Sequence, residues 1–547
     1  MGRWTAVAIL AAAQFVMVLD SSVMNVSISQ IVEDLDTTIQ GVQLAITAYT
    51  LVMAAFMLIG AKIGDVWGRE RAFAVGLTVY ACGSLTTALS PNLTVLLFGW
   101  SLVEGLGAVM VIPAIDALIA ANYEGKDRAF AYGIVGGIAA AAIAVGPIIG
   151  GWVTTNYTWR LVFVGEVVIV AVILLFRGRL KPSPRPEHIP RIDVVGGALS
   201  AAGLALIVFG ILGSSTYGFI RPKEALEIGG VAITPLGFSI VPFLILGGFG
   251  FLWAFASWEE RRERRGEDAL VDLSMLRIKT LLAGLTSLAM QQLVLLGTFF
   301  VLPVYLQVVL GLDAFETGLR LLPMSATMLV AALAGPRIAG RRSPKRVVQA
   351  GFVAISIGAV GLVATVDVEL SGGAFALSLA VFGIGVGLLA SQLGNVIMSS
   401  VAPEQTNEAG GLQGTAQNLG ASLGTALIGA ILLTSLAAGF TENVTDNPAI
   451  PPDVQTALVE HAKAEGLDVL PASQVQDELI AAGVAPDVAT AVTAEYVDAE
   501  VYGLKVALGA VAVFALLALW FTRRLPARPL GEPASAAAGP AVATASA

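Results

Sequence analysis

Long apolar runs recur from one end of the chain to the other, separated by short polar segments. Each run is about 20 residues or longer, the length of α-helix that spans ~30 Å of hydrocarbon. Inside lipid a helix pairs all of its backbone polar groups, and the alternating apolar and polar positions of a barrel strand are absent from these runs. The pattern predicts an all-α integral membrane protein with fourteen spans, at roughly 5–30, 44–63, 72–90, 93–121, 130–154, 159–176, 192–214, 236–258, 281–310, 316–339, 347–366, 373–399, 409–438 and 502–522.

The composition fits a chain that lies mostly in lipid. Of the 547 residues, 56% are apolar and 13% are charged, and the mean hydropathy is +0.81. Soluble domains carry about 25% charged residues, so most of these side chains do not face water. The first run is too long for the apolar core of a signal peptide, so we expect it to stay attached.

The basic residues are distributed unevenly between the two ends of the spans. If the amino terminus is cytoplasmic, the tails and every second loop hold 25 of the 31 Lys and Arg, and the richest loops are 177–191 and 259–280. This asymmetry predicts that both termini are cytoplasmic. A nucleic-acid surface is the alternative, but the net charge of −9 and the placement of the clusters between spans favour the topological role. We expect no nucleic-acid partner.

Few side chains are suited to metal or nucleophilic chemistry. Cys82 is the only cysteine, which excludes a disulfide within the chain and a thiol metal cluster. The two histidines, His188 and His461, lie in predicted loops. No G-x-x-x-x-G-K-[ST] loop occurs, which argues against an ATP-driven pump. We therefore expect no enzyme activity, no metal site and no cofactor.

The chain contains an internal repeat. Residues 58–76 align without gaps with residues 333–351, and the alignment pairs Gly60 with Gly335 and Arg71 with Arg346. Both segments lie in a polar turn that follows a span. The repeat predicts two parallel six-helix bundles, an architecture found in transporters, although channels can also be duplicated.

The predicted domains follow from this repeat. They are an N-terminal six-helix bundle at 1–176, a linker with two extra spans at 177–280, a C-terminal six-helix bundle at 281–523 and a disordered cytoplasmic tail at 524–547. The C-terminal bundle includes an acidic outer segment, 440–500. We expect this segment to be a solvated loop, with a small helical cap as the alternative.

Several short motifs resemble those of the major facilitator superfamily. GDVWGRER at 64–71 resembles its G-x-L-a-D-r-x-G-r-r signature, and LDSSVMNV, which contains Asp20, resembles the first-span signature of its fourteen-span drug:proton antiporter branch. AVGPIIGG at 144–151 resembles the G-P-x-x-G-G motif of exporters. The resemblance implies a major-facilitator-type fold and continues through nearly the whole chain at Arg128, Trp159-Arg160, GLRLLP at 318–323 and GLQGTAQNLGASLG at 411–424.

The chain departs from this family pattern at five positions. Ser101 and Glu104 stand where the fourth span of the family has arginine and glutamine, and Glu166 stands where the sixth has asparagine. Ala61 and Val66 replace a glycine and a basic residue in the turn. The fold assignment is unaffected, whereas the proton pathway has to be derived from the residues of this chain.

Four acids lie within the predicted spans: Asp20, Glu104, Asp116 and Glu166. Counted from the outer ends of their spans, Asp20 and Glu104 lie at a depth of roughly 16 Å and Glu166 at roughly 10 Å. Asp116 is close enough to the cytoplasmic side to reach water.

In the fold that the family resemblance implies, spans one and four are neighbours that line a central cavity, so Asp20 and Glu104 are expected to face each other. A charge at the bilayer centre costs about 2.5–3.5 kcal/mol, so such a pair should share a proton. Proton and substrate would then compete for one acidic cavity, with Glu166 as a third proton-coupling residue. The alternative is that these acids remain protonated and only brace the helices.

The resemblance and the residue types suggest three further groups. A conformational latch would consist of Asp65, Gly68, Arg69, Arg71 and Arg128, which could instead be a topological charge cluster. A helix-bend motif would consist of Gly146, Pro147, Gly150 and Gly151, which could instead be small-residue packing. Residues of the substrate cavity would be Phe15, Met24, Trp100, Gln291, Gln292, Phe299 and Tyr305, any of which could instead be packed or face lipid.

Together these features predict a proton-coupled exporter of amphipathic or cationic organic compounds, a monomer in a bacterial plasma membrane. Its partners would be small organic substrates, protons and membrane lipid, and the proton gradient would supply the energy. Two alternatives stay open. One is a transporter of a lipid or an endogenous metabolite on the same scaffold, and the other is a membrane sensor or scaffold whose outer segment binds a partner.

Overall fold

The computed structural model describes residues 4–181, 191–223, 225–228, 231–339, 342–368, 370–402, 405–464 and 466–527. Helices make up most of this part of the chain. Their bounds are α1 Thr5–Val26, α2 Ile28–Asp34, α3 Ile39–Trp67, α4 Arg69–Ala88, α5 Leu93–Leu96, α6 Gly105–Asn122, α7 Gly125–Asn156, α8 Arg160–Phe176, α9 Val194–Leu212, α10 Ser214–Tyr217, α11 Val241–Arg264, α12 Lys279–Val304, α13 Ala314–Ala339, α14 Pro344–Thr365, α15 Gly372–Met398, α16 Thr406–Asp446, α17 Pro452–Ala464, α18 Ala472–Ala481 and α19 Pro486–Phe521.

Each of the fourteen predicted windows falls on a helix. Among the described residues, thirteen helices are long and apolar enough to cross a membrane. The fourteenth, α4, has 20 residues and is more polar, since it begins with Arg69, Glu70 and Arg71. The chain is therefore a multi-pass membrane protein, and its all-α class is confirmed. One short antiparallel hairpin, Leu226–Ile228 paired with Val231–Ile233, interrupts the helices between α10 and α11.

Polar side chains cap the first turns of three helices, and one glycine forms the turn between two spans. The side chains of Thr38, Asn92 and Asp193 each accept a hydrogen bond from a backbone N–H in the first turn of α3, α5 and α9. Gly68 alone separates α3 from α4 and has φ +91°, a conformation that favours glycine. The chain can therefore reverse direction there without a longer loop.

The spans pack in two sets. The first set is α1–α8, in which α1 packs on α7 and α4 packs on α6 and α8. The second set is α12–α19, in which α15 packs on α13 and α14, and α16 packs on α12 and α19. The two sets meet along α3 with α16 and along α7 with α13. The inserted helices α9 and α11 pack on each other, and α9 also packs on α3 and α16 at this seam.

The segment 440–500 is helical, so the expected solvated loop is wrong and the alternative, a helical cap, is right. It comprises the end of α16, α17, α18 and the start of α19, and we call it the acidic cap because it holds twelve Asp and Glu and one Lys. The Gln40 amide of the first set donates to Asp468 Oδ1 at 2.5 Å. The Tyr496 hydroxyl donates to the Asp468 carbonyl at 2.5 Å. The first bond joins the cap to the first set, and the second holds the segment before α18 against the start of α19 within the cap.

The chain beyond α19 begins against the second set. A 3₁₀ turn, Thr522–Arg524, follows the helix, and Leu525 is buried. Of the predicted tail at 524–547, only residues 524–527 belong to the described part of the chain. The loop around His188 lies outside the described residues.

Candidate functional site

Three buried carboxyl groups meet inside the first helix set. Asp20 lies on α1, Glu104 ends the π-helical segment Leu97–Glu104 between α5 and α6, and Glu166 lies on α8. One carboxylate oxygen from each lies within 4.8 Å of the others. Asp20 and Glu104 are 0% exposed and Glu166 is 1% exposed. We call these three residues the acid cluster.

Four other side chains surround the acid cluster. The Trp100 indole N–H donates to Asp20 Oδ1 at 2.8 Å, and the Trp100 ring stacks on Tyr49 with centroids 4.6 Å apart. The Tyr80 and Ser84 hydroxyls donate to Glu166 Oε2 at 3.2 and 3.1 Å. The donors come from α4 and the π-helical segment and Tyr49 comes from α3, so the surroundings of the cluster belong to the first set.

The acid cluster has more acceptors than donors. Asp20 Oδ2, both carboxylate oxygens of Glu104 and Glu166 Oε1 have no hydrogen-bond partner among the described residues. Within the same part of the chain, no Lys, Arg or His nitrogen lies within 4.0 Å of these carboxyl groups. Three ionised carboxylates without a cation are unfavourable at such a dry site. Protons shared between facing oxygens would satisfy the free acceptors.

A metal ion fits the acid cluster less well than protons do. The cluster offers three carboxylate oxygens that are close enough to share an ion. Hard cations take six or more oxygen ligands, and the other polar groups here are hydroxyl and indole donors that already point at the acids. The chemistry that this donor set favours is proton binding.

Glycines allow the helices around the cluster to approach closely. A Cβ at Gly83 of α4 would lie 2.5 Å from the Glu104 nitrogen, and one at Gly107 would lie 2.5 Å from the Tyr80 nitrogen. This contact places Tyr80 and Ser84 beside Glu166. The sequence interpretation missed both hydroxyls, although their i, i+4 spacing in an apolar run was a usable signal.

Asp20 and Glu104 lie close together, as sequence reasoning expected. That reasoning also expected them to line a central cavity where proton and substrate compete. In this conformation both are fully buried among helices of the first set. Glu166, expected at a shallower depth, also reaches the other two acids. Asp116 lies outside the cluster and is exposed.

Three of the residues expected in the substrate cavity have other surroundings. Phe15 packs against Leu19, Val23 and Val162 within the first set. Trp100 belongs to the acid cluster. The Tyr305 hydroxyl donates to the Asp367 carbonyl at 2.6 Å and accepts from the Asp367 N–H at 3.2 Å, so it fixes the loop after α14.

The other four expected cavity residues lie on α1 and α12. Met24, Gln291 and Phe299 are buried, and Gln292 is partly buried. The Gln291 amide is 3.5 Å from the Val386 carbonyl of α15, and its own oxygen has no partner among the described residues. Gln291 therefore faces the interior of the second set.

Hydrogen bonds that sequence reasoning missed close the seam near the acidic cap. Gln43 of α3 donates to the Thr425 carbonyl of α16 at 2.8 Å. Gln307, which follows α12, donates to the Val26 carbonyl at 2.8 Å and accepts from the Ser29 N–H at 3.2 Å. These bonds join α1 and α3 to the second set.

One contact of the expected latch is present in this conformation. Asp65 forms an ion pair with Arg69, one of its expected partners, four residues later in the same turn, whereas Arg71 is exposed. The side chain of Arg128 lies outside the described residues. The contact across the seam at this end is an ion pair of Lys62 on α3 with Glu408 on α16, at 3.2 Å.

The expected helix-bend motif lies between α1 and α13. A Cβ at Gly146 would lie 2.5 Å from Ser22 Cβ, and one at Gly150 would lie 2.7 Å from Val23 Cγ2. On the other side, a Cβ at Gly151 would lie 2.3 Å from the Ala314 carbonyl of α13. A Cβ at Gly318 of α13 would lie equally close to the Pro147 carbonyl. Helix α7 thus packs tightly both on the helix that carries Asp20 and on the second set.

One family model and three known proteins each match most of this chain. The family model described as Major Facilitator Superfamily matches residues 10–425. The chain is 28% identical to the probable actinorhodin transporter of Streptomyces coelicolor over 457 residues, 81% of this chain and 75% of the relative. It is 26% identical to the tetracenomycin C resistance and export protein of Streptomyces glaucescens, over 95% of this chain and 92% of the relative. It is also 26% identical to the multidrug efflux pump LfrA of Mycolicibacterium smegmatis, over 92% and 96% of the two chains.

Solved structures show the same fold. A bacterial homologue of the human lysosomal transporter Spinster, in an inward-facing and unoccupied conformation, superposes with a TM-score of 0.58 at 16% identity, covering 95% of this chain and 96% of that one. A bacterial homologue of the human peptide transporters PepT1 and PepT2 gives a TM-score of 0.53 at 15% identity, over 96% and 100% of the two chains.

Proposed function

Because this chain belongs to the Major Facilitator Superfamily, we propose that it is a proton-coupled exporter of amphipathic or cationic organic compounds that works by alternating access. The acid cluster of Asp20, Glu104 and Glu166, buried without a cation among the described residues, carries this proposal. The relatives include an export protein and a multidrug efflux pump, and they support the direction and the type of cargo.

Protons suit the acid cluster because of the cost of burying charge. A charge at the bilayer centre costs about 2.5–3.5 kcal/mol, so the sealed cluster keeps protons on its shared oxygens. Water that reaches the cluster in another conformation solvates the carboxylates and allows release. One charge that crosses 100 mV is worth about 2.3 kcal/mol. The gradient can therefore drive export without a nucleotide or another cofactor.

Coupling between proton and cargo is indirect in this proposal. The acids lie inside the first set, whereas cargo in this proposal passes between the sets near Met24, Gln292 and Phe299. Helix α1 carries Asp20 and packs through Ser22 on Gly146 of α7, and α7 packs on α13 across the seam. A change of charge in the cluster would move α1 and α7 together, and so open or close the seam.

The proposal also covers location and organisation. The turn between α3 and α4 and the loop 259–280 lie on the face of the protein that carries most of its basic residues, which we call the basic face. We place the basic face and both termini in the cytoplasm of a bacterium, and the acidic cap outside. The protein would be a monomer with an N-terminal bundle at 1–176, a linker at 177–280 and a C-terminal bundle at 281–523. It would have neither enzyme activity nor a nucleic-acid partner.

A transport assay in proteoliposomes tests this proposal. Addition of a fluorescent organic cation should release protons that a pH dye reports, and Asp20→Asn, Glu104→Gln and Glu166→Gln should each abolish the signal. Asp116→Asn is the matched control, since this exposed carboxyl group lies outside the acid cluster. Proton movement that survives in all three cluster variants would refute coupling by the cluster. Cargo movement that is insensitive to a collapsed pH gradient would indicate facilitation or lipid transport, and no flux of any tested cargo would indicate a sensor.

A further inference from the structure

A cleft opens at the basic face between the start of α12 and the end of α19. Its volume is about 380 Å³. Eight residues line it, and we call it the basic cleft: Lys279, Leu282, Ala283, Thr286, Trp520, Phe521, Arg523 and Arg524.

The cations of the basic cleft have no acidic partner. Among the described residues, no carboxylate oxygen lies within 4.0 Å of the side-chain nitrogens of Lys279, Arg523 or Arg524. Many other cations of this face are paired, as Arg262 is with Asp193 and Glu267. Three unpaired cations around one small cavity favour an anionic ligand.

A fixed stretch of backbone carries two of these cations. Lys345 of α14 donates through Nζ to the Arg523 carbonyl at 2.8 Å, and its backbone N–H donates to the Pro526 carbonyl at 3.3 Å. Gln349 donates to the Thr522 hydroxyl at 3.1 Å. The Arg523 guanidinium also lies over the Trp520 ring, 3.9 Å from its centroid. The turn is thus held in place before any ligand arrives, which lowers the entropic cost of binding.

The remaining walls of the basic cleft are apolar and open outward. Trp520 is 64% exposed, Phe521 is 40% exposed and Leu282 is 37% exposed. Lys279 is the first residue of α12, and Arg523 and Arg524 lie in the 3₁₀ turn after α19, so the cations lie where two spans leave the membrane. Tryptophan is enriched at this level of a bilayer. Leu282 and Thr286 lie one and two helical turns deeper.

We propose that the basic cleft binds an anionic phospholipid of the cytoplasmic leaflet. The phosphate lies against Lys279, Arg523 and Arg524, and the acyl chains follow Leu282 and the rings of Trp520 and Phe521 toward the bilayer centre. Basic pockets between spans on this side of a membrane suit such headgroups. A soluble phosphate compound would match the charge but would leave the apolar walls uncovered. The lipid is held as a ligand and is not cargo, so this inference is independent of drug export.

A lipid titration of the purified full-length protein in detergent tests the proposal. Phosphatidylglycerol should raise Tm more than phosphatidylcholine does, and native mass spectrometry should show retained phosphatidylglycerol. The double variant Arg523→Gln/Arg524→Gln should lose this preference and bind phosphatidylglycerol about tenfold more weakly. The matched control is Arg261→Gln/Arg265→Gln, which removes two exposed cations of the same face outside the cleft and should leave the preference unchanged.

A second variant separates loss of binding from loss of folding. Ala283→Phe fills the basic cleft without altering charge, and each variant is compared with its own lipid-free Tm. Three results would each overturn the proposal: equal stabilisation by the two lipids, a phosphatidylglycerol preference that survives in both cleft variants, or stabilisation by soluble glycerol phosphate that equals that of the lipid. All of these readouts measure binding, so a failure of transport would not produce them.

Discussion

The Trp100 indole N–H donates to Asp20 Oδ1 at 2.8 Å and thereby joins the fourth span to the first, beside two further carboxyl groups. No cation among the described residues lies within 4.0 Å of the Asp20 carboxyl group. The indole bond orients the carboxyl group and satisfies one of its oxygens, while Asp20 Oδ2 faces the other acids without a partner.

Replacing Trp100 should therefore lower the free energy of unfolding, because Asp20 loses a hydrogen-bond donor. Trp100→Phe keeps an aromatic ring that can stack on Tyr49 but leaves Asp20 without its indole partner. The expected loss of unfolding free energy is about 1–3 kcal/mol, the cost of stranding a buried polar group. Thermal unfolding in detergent measures the loss. Trp520→Phe is the control because Trp520 is exposed, and an equal loss in both variants would contradict a specific role for the bond.

Gly83 should tolerate no larger residue, because α4 and the fourth span touch there. A Cβ at this position would lie 2.5 Å from the Glu104 nitrogen, and backbone cannot move aside as a flexible side chain can. Gly83→Ala should lower Tm strongly and reduce the yield of folded protein. Gly509→Ala, in a span position with nothing within 4 Å, should be neutral or stabilising by up to about 1 kcal/mol. Folded yield is measured by size-exclusion chromatography, and a normal profile for Gly83→Ala would show that the two helices are further apart than described.

The sequence was sufficient to predict the spans and part of the acid cluster. Spans follow from the length and apolarity of each run, and the meeting of Asp20 with Glu104 followed from equal depth on spans that are neighbours in the resembled fold. The meeting of Glu166 with the other two acids was not predicted, because a count from Trp159 placed Glu166 at a shallower depth. A residue count along one helix contains no information about its height relative to another.

The hydrogen bonds across the seam were not predicted, because they depend on which face of each span points into the bundle. In lipid, an apolar residue is equally favourable inside and outside a bundle, so the hydrophobic pattern did not indicate that Gln43 and Gln307 would bond across the seam. The helical cap was missed for a different reason. The argument from hydropathy considered only spans, although Pro452 and Pro486 stand in the first turns of α17 and α19, where proline commonly begins a helix.

The ion pair of Lys62 with Glu408 should bias the equilibrium between conformations. It joins α3 to α16 at the basic face, with 15% and 29% of the two side chains exposed, so its contribution is at most about 1 kcal/mol. Lys62→Glu or Glu408→Lys alone should shift the population toward states open at this face by up to about fivefold. Spin-label distances between the basic-face ends of α3 and α16 measure the shift.

The double variant with both charges exchanged should restore the wild-type distribution, and high salt should weaken the shift caused by the single variants. A double variant as open as the single variants would rule out the pair as the cause.

Asp468 should make the stability of the acidic cap depend on pH. Burial raises the pKa of Asp468 above the usual value for aspartate, and nearby Glu478 adds to the increase, while the Gln40 hydrogen bond opposes it. A carboxyl group with a raised pKa in the folded state binds its proton more tightly when folded than when unfolded. Its contribution to stability is therefore present at acidic pH, below the unfolded pKa, and is lost as the pH rises through the folded pKa.

Asp468→Asn tests this dependence, because asparagine keeps an acceptor oxygen for Gln40 and carries no charge at any pH. The Tm of the variant should match that of the wild type near pH 4 and exceed it at pH 8, where the wild type must hold a charged carboxylate near Glu478. Asp477→Asn is the control, since Asp477 is exposed on the same cap, and its Tm should follow that of the wild type across this range. If Asp468→Asn instead lost stability at pH 8, the ionised carboxylate would be the favoured form in the folded cap, and the hydrogen bond from Gln40 would outweigh the cost of burial.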